Sequence, residues 1–243
     1  MYNANLIKEY FCNEDIFFQG YVEEWSESRW GRIQEGRVQE SDITALLLAT
    51  NGSLEDRIIE FFIYEAGLLL ERGCFYRLRS SQDPLIKKFR RRDEDGNLVK
   101  NVPDIFVTKE SASGDEVTLV VAVELKKNAQ VNYINCPTGK HLRYSNQIVC
   151  YAEGCCFSDE LKDIVRYVWL SPKRKRRSHR GVNGESKMMD WGFDEQFSHE
   201  FFEFQQNVFS SLWRHANLEN LCEELYESIE GVILSKIIKD WIS

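Results

Sequence analysis

The sequence predicts an α/β domain: a central mixed β-sheet of about four to six strands flanked by helices, with helical additions at both ends. Three observations carry this reading. Residues 103–107 and 117–126 are β-rich apolar runs on either side of a polar turn at 111–115, the pattern of a hairpin. Residues 39–70 carry apolar residues at helical spacing behind cap-forming residues. Beyond the hairpin a second helical pattern precedes another apolar run, 163–171, stopped by Pro172.

In chain order, residues 1–38 hold many aromatics, among them Phe11, Phe17, Phe18, Tyr21, Trp25 and Trp30. They are expected to pack as helix and loop against the core rather than to stack on bases. Ser41 is the expected N-cap of a helix reaching Leu48, and Ser53 that of a second helix over 54–70. After Gly73, residues 75–80 read as the first core strand. The run 117–123 is apolar except for Thr118, which suggests a strand buried on both faces. Ser145 or Asn146 can cap a helix on which Ile148, Tyr151 and Ala152 share a face. From Asp194 two helices are expected. The second aligns Leu221, Leu225, Ile229, Val232, Ile233, Ile237 and Trp241 as a core stripe, with a dimer interface as the lesser alternative. The organisation is thus an extension at 1–38, a core at 39–172, and a basic loop with C-terminal helices at 173–243.

The chemistry concentrates on the hairpin. Asp104 starts its first strand, and Glu124 and Lys126 stand near the end of the second. Residues two apart on a strand point to one face, so Glu124 and Lys126 project together. Hard divalent cations take carboxylate oxygens, and a neighbouring ammonium can orient a water and stabilise developing charge. A charged pair ending a buried strand costs free energy unless a metal or other partners satisfy it.

This arrangement resembles the PD-(D/E)XK nuclease superfamily, with its restriction-endonuclease-like fold. The Pro103-Asp104 dipeptide and Glu124-Leu125-Lys126 are in place, and the order hairpin, helix, strand matches over about residues 40–172. The resemblance implies metal-dependent hydrolysis of phosphodiester bonds, of DNA by family prior, in phage defence, restriction or DNA repair. Asp104, Glu124 and the Leu125 carbonyl would bind Mg²⁺ or Mn²⁺, and Lys126 would position or activate the attacking water. Gln147, four residues before Tyr151, would orient the site. Glu40 is the expected helix acid, holding a second metal or a metal-bound water; Glu60, Glu55 and Glu65 are alternatives. Enzymes of this kind that cut both strands are often homodimers. Two other readings stay open: an RNA nuclease, and a catalytically inactive nucleic-acid- or protein-binding module on the same fold.

Composition narrows the class. The chain has 243 residues and a formal net charge of −8, which argues against a general polyanion binder. Basic residues are nevertheless clustered. Lys87, Lys88, Arg90 and Arg91 fall in an expected loop before the hairpin, and Lys173, Arg174, Arg176 and Arg177 follow the strand ending near Leu170. Both clusters are candidate phosphate contacts; the second also has the composition of a nuclear localisation signal. No apolar run approaches the roughly 20 residues of a membrane span. Residues 1–6 lack a basic region followed by an apolar one, so a secretory leader is not expected. Seven cysteines without a Cys-x-x-Cys pair point to reduced thiols in a cytoplasmic setting. Cys136, Cys150, Cys155 and Cys156 do not match an iron–sulfur spacing, and the four histidines form no zinc motif.

Overall fold

The computed structural model describes residues 27–93, 95–99, 102–114, 116–127, 133–134, 145–146, 151, 156–158, 160–161, 164–172 and 213–243. Helices α1 (Glu27–Gln34), α2 (Glu40–Leu48) and α3 (Gly52–Glu65) lead into strand β1 (Phe75–Ser80) and the short helix α4 (Pro84–Phe89). Strands β2 (Ile105–Glu110) and β3 (Val117–Leu125) form the expected hairpin. There follow β4 (Tyr133–Ile134), β5 (Ser145–Asn146), β6 (Arg166–Ser171), β7 (Trp213–Asn217), α5 (Leu218–Glu224) and α6 (Ile229–Ile242).

The main sheet has the order β1-β2-β3-β6-β7. β1, β2 and β3 run antiparallel, whereas β3, β6 and β7 are mutually parallel, so the sheet is mixed. β4 and β5 pair separately, so Ser145 and Asn146 are extended, and Tyr151 is helical, on the helix expected there. Burial on both faces explains the near-continuous apolar runs of β3 and β6. One face of β3 presents Val121, Val123 and Leu125 to a core shared with α2, α3, α5 and α6. The other presents Leu119 and Ala122 to Phe106, Phe157, Tyr167 and Trp169. Leu119 and Val121 face opposite sides although two residues apart. Val107 pairs with Val121 and Thr108 with Leu119, so Val120 is an extra residue, a β-bulge.

Several boundaries differ from the sequence reading. The cap of α2 is Gln39 rather than Ser41, because the Asp42 carboxylate turns back to accept the Gln39 N–H at 2.9 Å. α3 begins at Gly52 behind Asn51 and ends at Glu65 instead of continuing to residue 70. Gly67 stops it with φ of +74°, a left-handed conformation that glycine adopts without a Cβ clash. Lys87 and Lys88 lie in the last turn of α4, not in a loop; the Asp83 carboxylate caps this helix by accepting the Leu85 N–H at 2.7 Å. β7 was not expected, because Trp213, Arg214, His215, Ala216 and Asn217 carry no apolar alternation. The segment after residue 173 therefore supplies a sheet strand as well as helices.

The C-terminal stripe is also broken. α5 ends before Leu225, and α6 restarts at the Ser228 cap, whose hydroxyl accepts the Gly231 N–H at 2.9 Å. Ile229 and Val232 are exposed, and Leu234 and Ile238 are buried in their place. Gly231 permits the tight turn: a Cβ there would lie 1.8 Å from the Leu225 carbonyl oxygen. The aromatics of residues 1–26 lie outside the described residues. No helix among the described residues is long and apolar enough to cross a membrane.

The first turn of α2 is anchored by charge. Asp42 is fully buried, and its carboxylate accepts from Arg29 Nε at 2.9 Å and from Arg32 Nη2 at 2.6 Å. Removing one partner of a buried ion pair strands the other, so Asp42→Ala is expected to cost about 3 kcal/mol. Chemical denaturation checks this; a loss below about 1 kcal/mol would mean that the arginines find water instead. Glu40 rides on the same turn.

Candidate active site

The hairpin brings Asp104 and Glu124 side by side at one end of the sheet. Asp104 precedes β2 and is pinned twice to the end of β3: its N–H donates to the Val123 carbonyl at 3.0 Å, and its Oδ2 accepts the Leu125 N–H at 2.9 Å. The two bonds bracket Glu124 and fix the spacing of the acids. Pro103, buried just before Asp104, has no N–H to satisfy.

Glu124 is 1% exposed, at the buried end of β3. One carboxylate oxygen meets Lys126 Nζ at 2.8 Å, and the other accepts the Tyr151 hydroxyl at 3.4 Å. Tyr151 is held in turn, since its carbonyl accepts from the Tyr167 hydroxyl at 2.9 Å and the two rings stack. The Lys126 backbone N–H continues the parallel ladder to the Leu170 carbonyl at 2.9 Å. Its ammonium reaches across to Glu40 Oε1 at 2.9 Å. Glu40 Oε2 accepts the Lys127 N–H at 3.3 Å, and the Lys127 ammonium stands 5.9 Å over the Trp241 ring. Helices α2 and α6 thus both reach the end of β3.

Electrostatics follow from burial. Asp104 is pushed up to about 6 by burial, against the pull of Lys126 and the Leu125 N–H. Glu124 is pushed up to about 8, first by burial and then by the charge of Asp104. Burial alone would lower the Lys126 pKa, but Glu124, Asp104 and Glu40 outweigh it, so the ammonium is held more firmly than usual. Among the described residues, three carboxylates here face one ammonium.

The other predicted site residues divide clearly. Glu55 is tied to β1, where it accepts the Leu78 N–H at 3.1 Å; Glu60 is exposed on α3, and half-buried Glu65 closes that helix. Arg90 is not available as a loop cation, because its guanidinium donates to the Ser81 carbonyl at 3.2 Å and to the Val99 carbonyl. The reason is position: Arg90 caps the end of α4 and ties it to the approach to β2. Lys88 is exposed, and Lys87 and Arg91 are half-buried. Gln147, Lys173, Arg174, Arg176 and Arg177 lie outside the described residues. Of the cysteines, Cys156 and Cys222 are buried thiols and Cys74 is half-buried. A polar pair that sequence reasoning did not find stands on the neighbouring strands: the Ser171 hydroxyl lies 2.8 Å from His215 Nε2. His215 sits in an unremarked polar strand, and no spacing signalled it.

Among the described residues no three His, Cys, Asp or Glu side chains converge into a ready-made metal cage. The donor set still fits a hard ion that keeps most of its own water. Asp104 and Glu124 offer oxygen ligands, and one or two carboxylates suffice for Mg²⁺. The mutual repulsion and the raised proton affinity of both acids are what a divalent cation would relieve. No family model, no curated protein and no solved structure matches this chain.

Proposed function

We propose that the protein is a metal-dependent nuclease of the PD-(D/E)XK type, hydrolysing phosphodiester bonds of DNA, with Mg²⁺ or Mn²⁺ held by Asp104, Glu124 and the Leu125 carbonyl. The observation that carries this reading is the meeting of Asp104, Glu124, Lys126 and Glu40 at one sheet end. The strand order, three antiparallel strands continued by parallel ones, supports a restriction-endonuclease-like core around that end. A place in restriction, phage defence or DNA repair follows from the resemblance alone.

The metal, when bound, would supply positive charge to the phosphate oxygens and a water of lowered pKa. The chain's own residues do the rest. Lys126, held as a firm ammonium, does not act as a base at neutral pH; it positions the attacking water and faces the charge that develops on the phosphate. Glu40 and Glu124 grip its Nζ from two sides and fix where that charge stands. Tyr151 fixes the rotation of the Glu124 carboxylate. Water adds to phosphorus, the bond to the leaving sugar oxygen breaks, and that oxygen takes up a proton.

Cleavage of single- and double-stranded DNA and of RNA, each with Mg²⁺, with Mn²⁺ and with chelator, tests the proposal. Metal-dependent cutting of DNA that Asp104→Ala abolishes supports it. Cutting confined to RNA moves the substrate class. Binding without cutting in every metal supports a catalytically inactive module instead.

A further inference from the structure

We propose that Asp42 is a positioning residue for Lys126: held by Arg29 and Arg32 of α1, it sets the direction of Glu40, and Glu40 sets where the Lys126 ammonium stands. This rests on the nuclease reading above and deepens it, because it makes α1, which the sequence places outside the core, part of the support of the site.

Hydrogen bonds run without a break from α1 to the lysine. Asp42 Oδ1 accepts from Arg29 Nε at 2.9 Å and from Arg32 Nη2 at 2.6 Å. Its Oδ2 accepts from Arg32 Nε at 3.1 Å and from the Gln39 N–H at 2.9 Å. These donors match the roughly four lone-pair sites of a carboxylate, so the buried group has one orientation. The Arg32 fork also fixes its plane. The Gln39 bond passes that orientation to the backbone just before Glu40, the first residue of α2. The Thr44 hydroxyl holds Glu40 from its other side, donating to the Glu40 carbonyl at 3.2 Å. The two Glu40 carboxylate oxygens then take Lys126 Nζ at 2.9 Å and the Lys127 N–H at 3.3 Å.

Attachment alone does not call for such a cluster. Ile33 already docks α1 in the main core without charge. In a buried ion cluster desolvation offsets much of the attraction, so apolar side chains would join the two helices as firmly. What apolar contacts lack is direction, and direction is what Glu40 needs. The first turn of a helix has no intrahelical partners for its N–H groups, so its geometry depends on the cap. The Glu40 side chain is 35% exposed and gives up rotamer freedom to keep one aim, so that aim is only as good as the backbone beneath it. Glu124 pulls the same Nζ from the other side at 2.8 Å. A Glu40 that swings away leaves the ammonium to Glu124, displaced from the water and phosphate it faces, and small displacements of a reacting group are costly in rate.

The test is a double-mutant cycle of Asp42→Asn, which keeps the shape and removes the charge, with Glu40→Ala, which removes the side chain that Asp42 is held to aim. In steady-state cleavage of a labelled DNA duplex, Asp42→Asn is expected to lower kcat about tenfold with KM within about twofold of the parent. In the Glu40→Ala background the same change is expected to alter kcat by less than about twofold. Thermal melts verify folding. Should Asp42→Asn fail to fold, Arg32→Gln, at a side chain 24% exposed, carries the same comparison with a loss of about threefold. A second readout needs no substrate. The Lys126 Nζ resonance of the isotope-labelled, metal-free protein, assigned by its loss in Lys126→Met, is expected to shift and broaden in Asp42→Asn but to stay unchanged when Asp42→Asn is added to Glu40→Ala. A purely structural role would lower the melting temperature and change kcat equally in both backgrounds, or not at all; either result overturns the proposal. An Nζ resonance indifferent to Asp42→Asn overturns it too and leaves the nuclease reading standing. A wild-type protein that cuts no nucleic acid overturns the nuclease reading, while the resonance still decides whether Asp42 acts on Lys126 through Glu40.

Discussion

Lys126→Met is expected to lower kcat for metal-dependent cleavage by about 10²–10³, the usual worth of one preorganised group facing transition-state charge. The change keeps the length of the side chain and removes only the ammonium. It also leaves Glu124 and Glu40 facing each other without their shared cation. Proton uptake by Glu124, already inclined to it, offsets part of that repulsion, so the variant should fold, with a lower melting temperature above pH 8. Lys127→Ala is the matched comparison. Its N–H bond to Glu40 is made by the backbone and survives, while the loss of the ammonium over Trp241 costs roughly 0.5–1 kcal/mol. Cleavage should therefore fall little. The reverse outcome, with Lys127 indispensable and Lys126 not, would put the reacting face on the other side of β3.

Glu124→Gln is expected to stabilise the metal-free protein at alkaline pH while abolishing its response to Mg²⁺. The folded pKa values of Glu124, about 8, and Asp104, about 6, lie above their ordinary values of 4.5 and 3.8. A raised carboxyl pKa means that the folded state binds more protons than the unfolded state across that interval. Stability is then fully present below about pH 4 and is lost as pH rises through 8. The loss in chelator is on the order of a few kcal/mol for Glu124. Glutamine mimics the protonated carboxyl, so the variant and the parent should match below about pH 4, diverge progressively between about pH 4.5 and 8, and keep a constant gap above that. Mg²⁺ binds the deprotonated acids, so it should stabilise the parent more at pH 8.5 than at pH 5.5 and release protons on binding. Melting curves in chelator and in Mg²⁺ across this range decide the matter. A parent whose melting temperature relative to Glu124→Gln does not change with pH would show that the carboxylate sits in a wetter place.

Much of this was legible in the sequence, for identifiable reasons. The hairpin could be read because β2 and β3 are apolar runs around a polar turn, and the α/β class followed from the alternation of such runs with helical patterns. The proximity of Asp104 and Glu124 is a consequence of hairpin pairing, which is local in sequence. The partnership of Glu40 with Lys126 spans more than eighty residues, and only the resemblance pointed to Glu40, as a metal-side acid rather than as a partner of Lys126. β7 was hidden because its position at the far side of the sheet needs no apolar alternation, and His215 was hidden with it. Arg90 was misread because a run of basic residues looks solvated as a string of letters. Its fate depends on two carbonyls, at Ser81 and Val99, that no short-range pattern brings near.

The unpaired Val120 bears on how relatives of this chain could be found. Because the bulge takes up one residue between the turn and the acids, the interval from Asp104 to Glu124 is a soft quantity. A chain lacking Val120 would pair regularly throughout and still set the two carboxylates opposite each other, one residue closer in sequence. A search that demands a fixed gap, or strict alternation through the whole second strand, would pass over such chains. Alternation is informative only from Val121 onward, where every residue keeps step with the site.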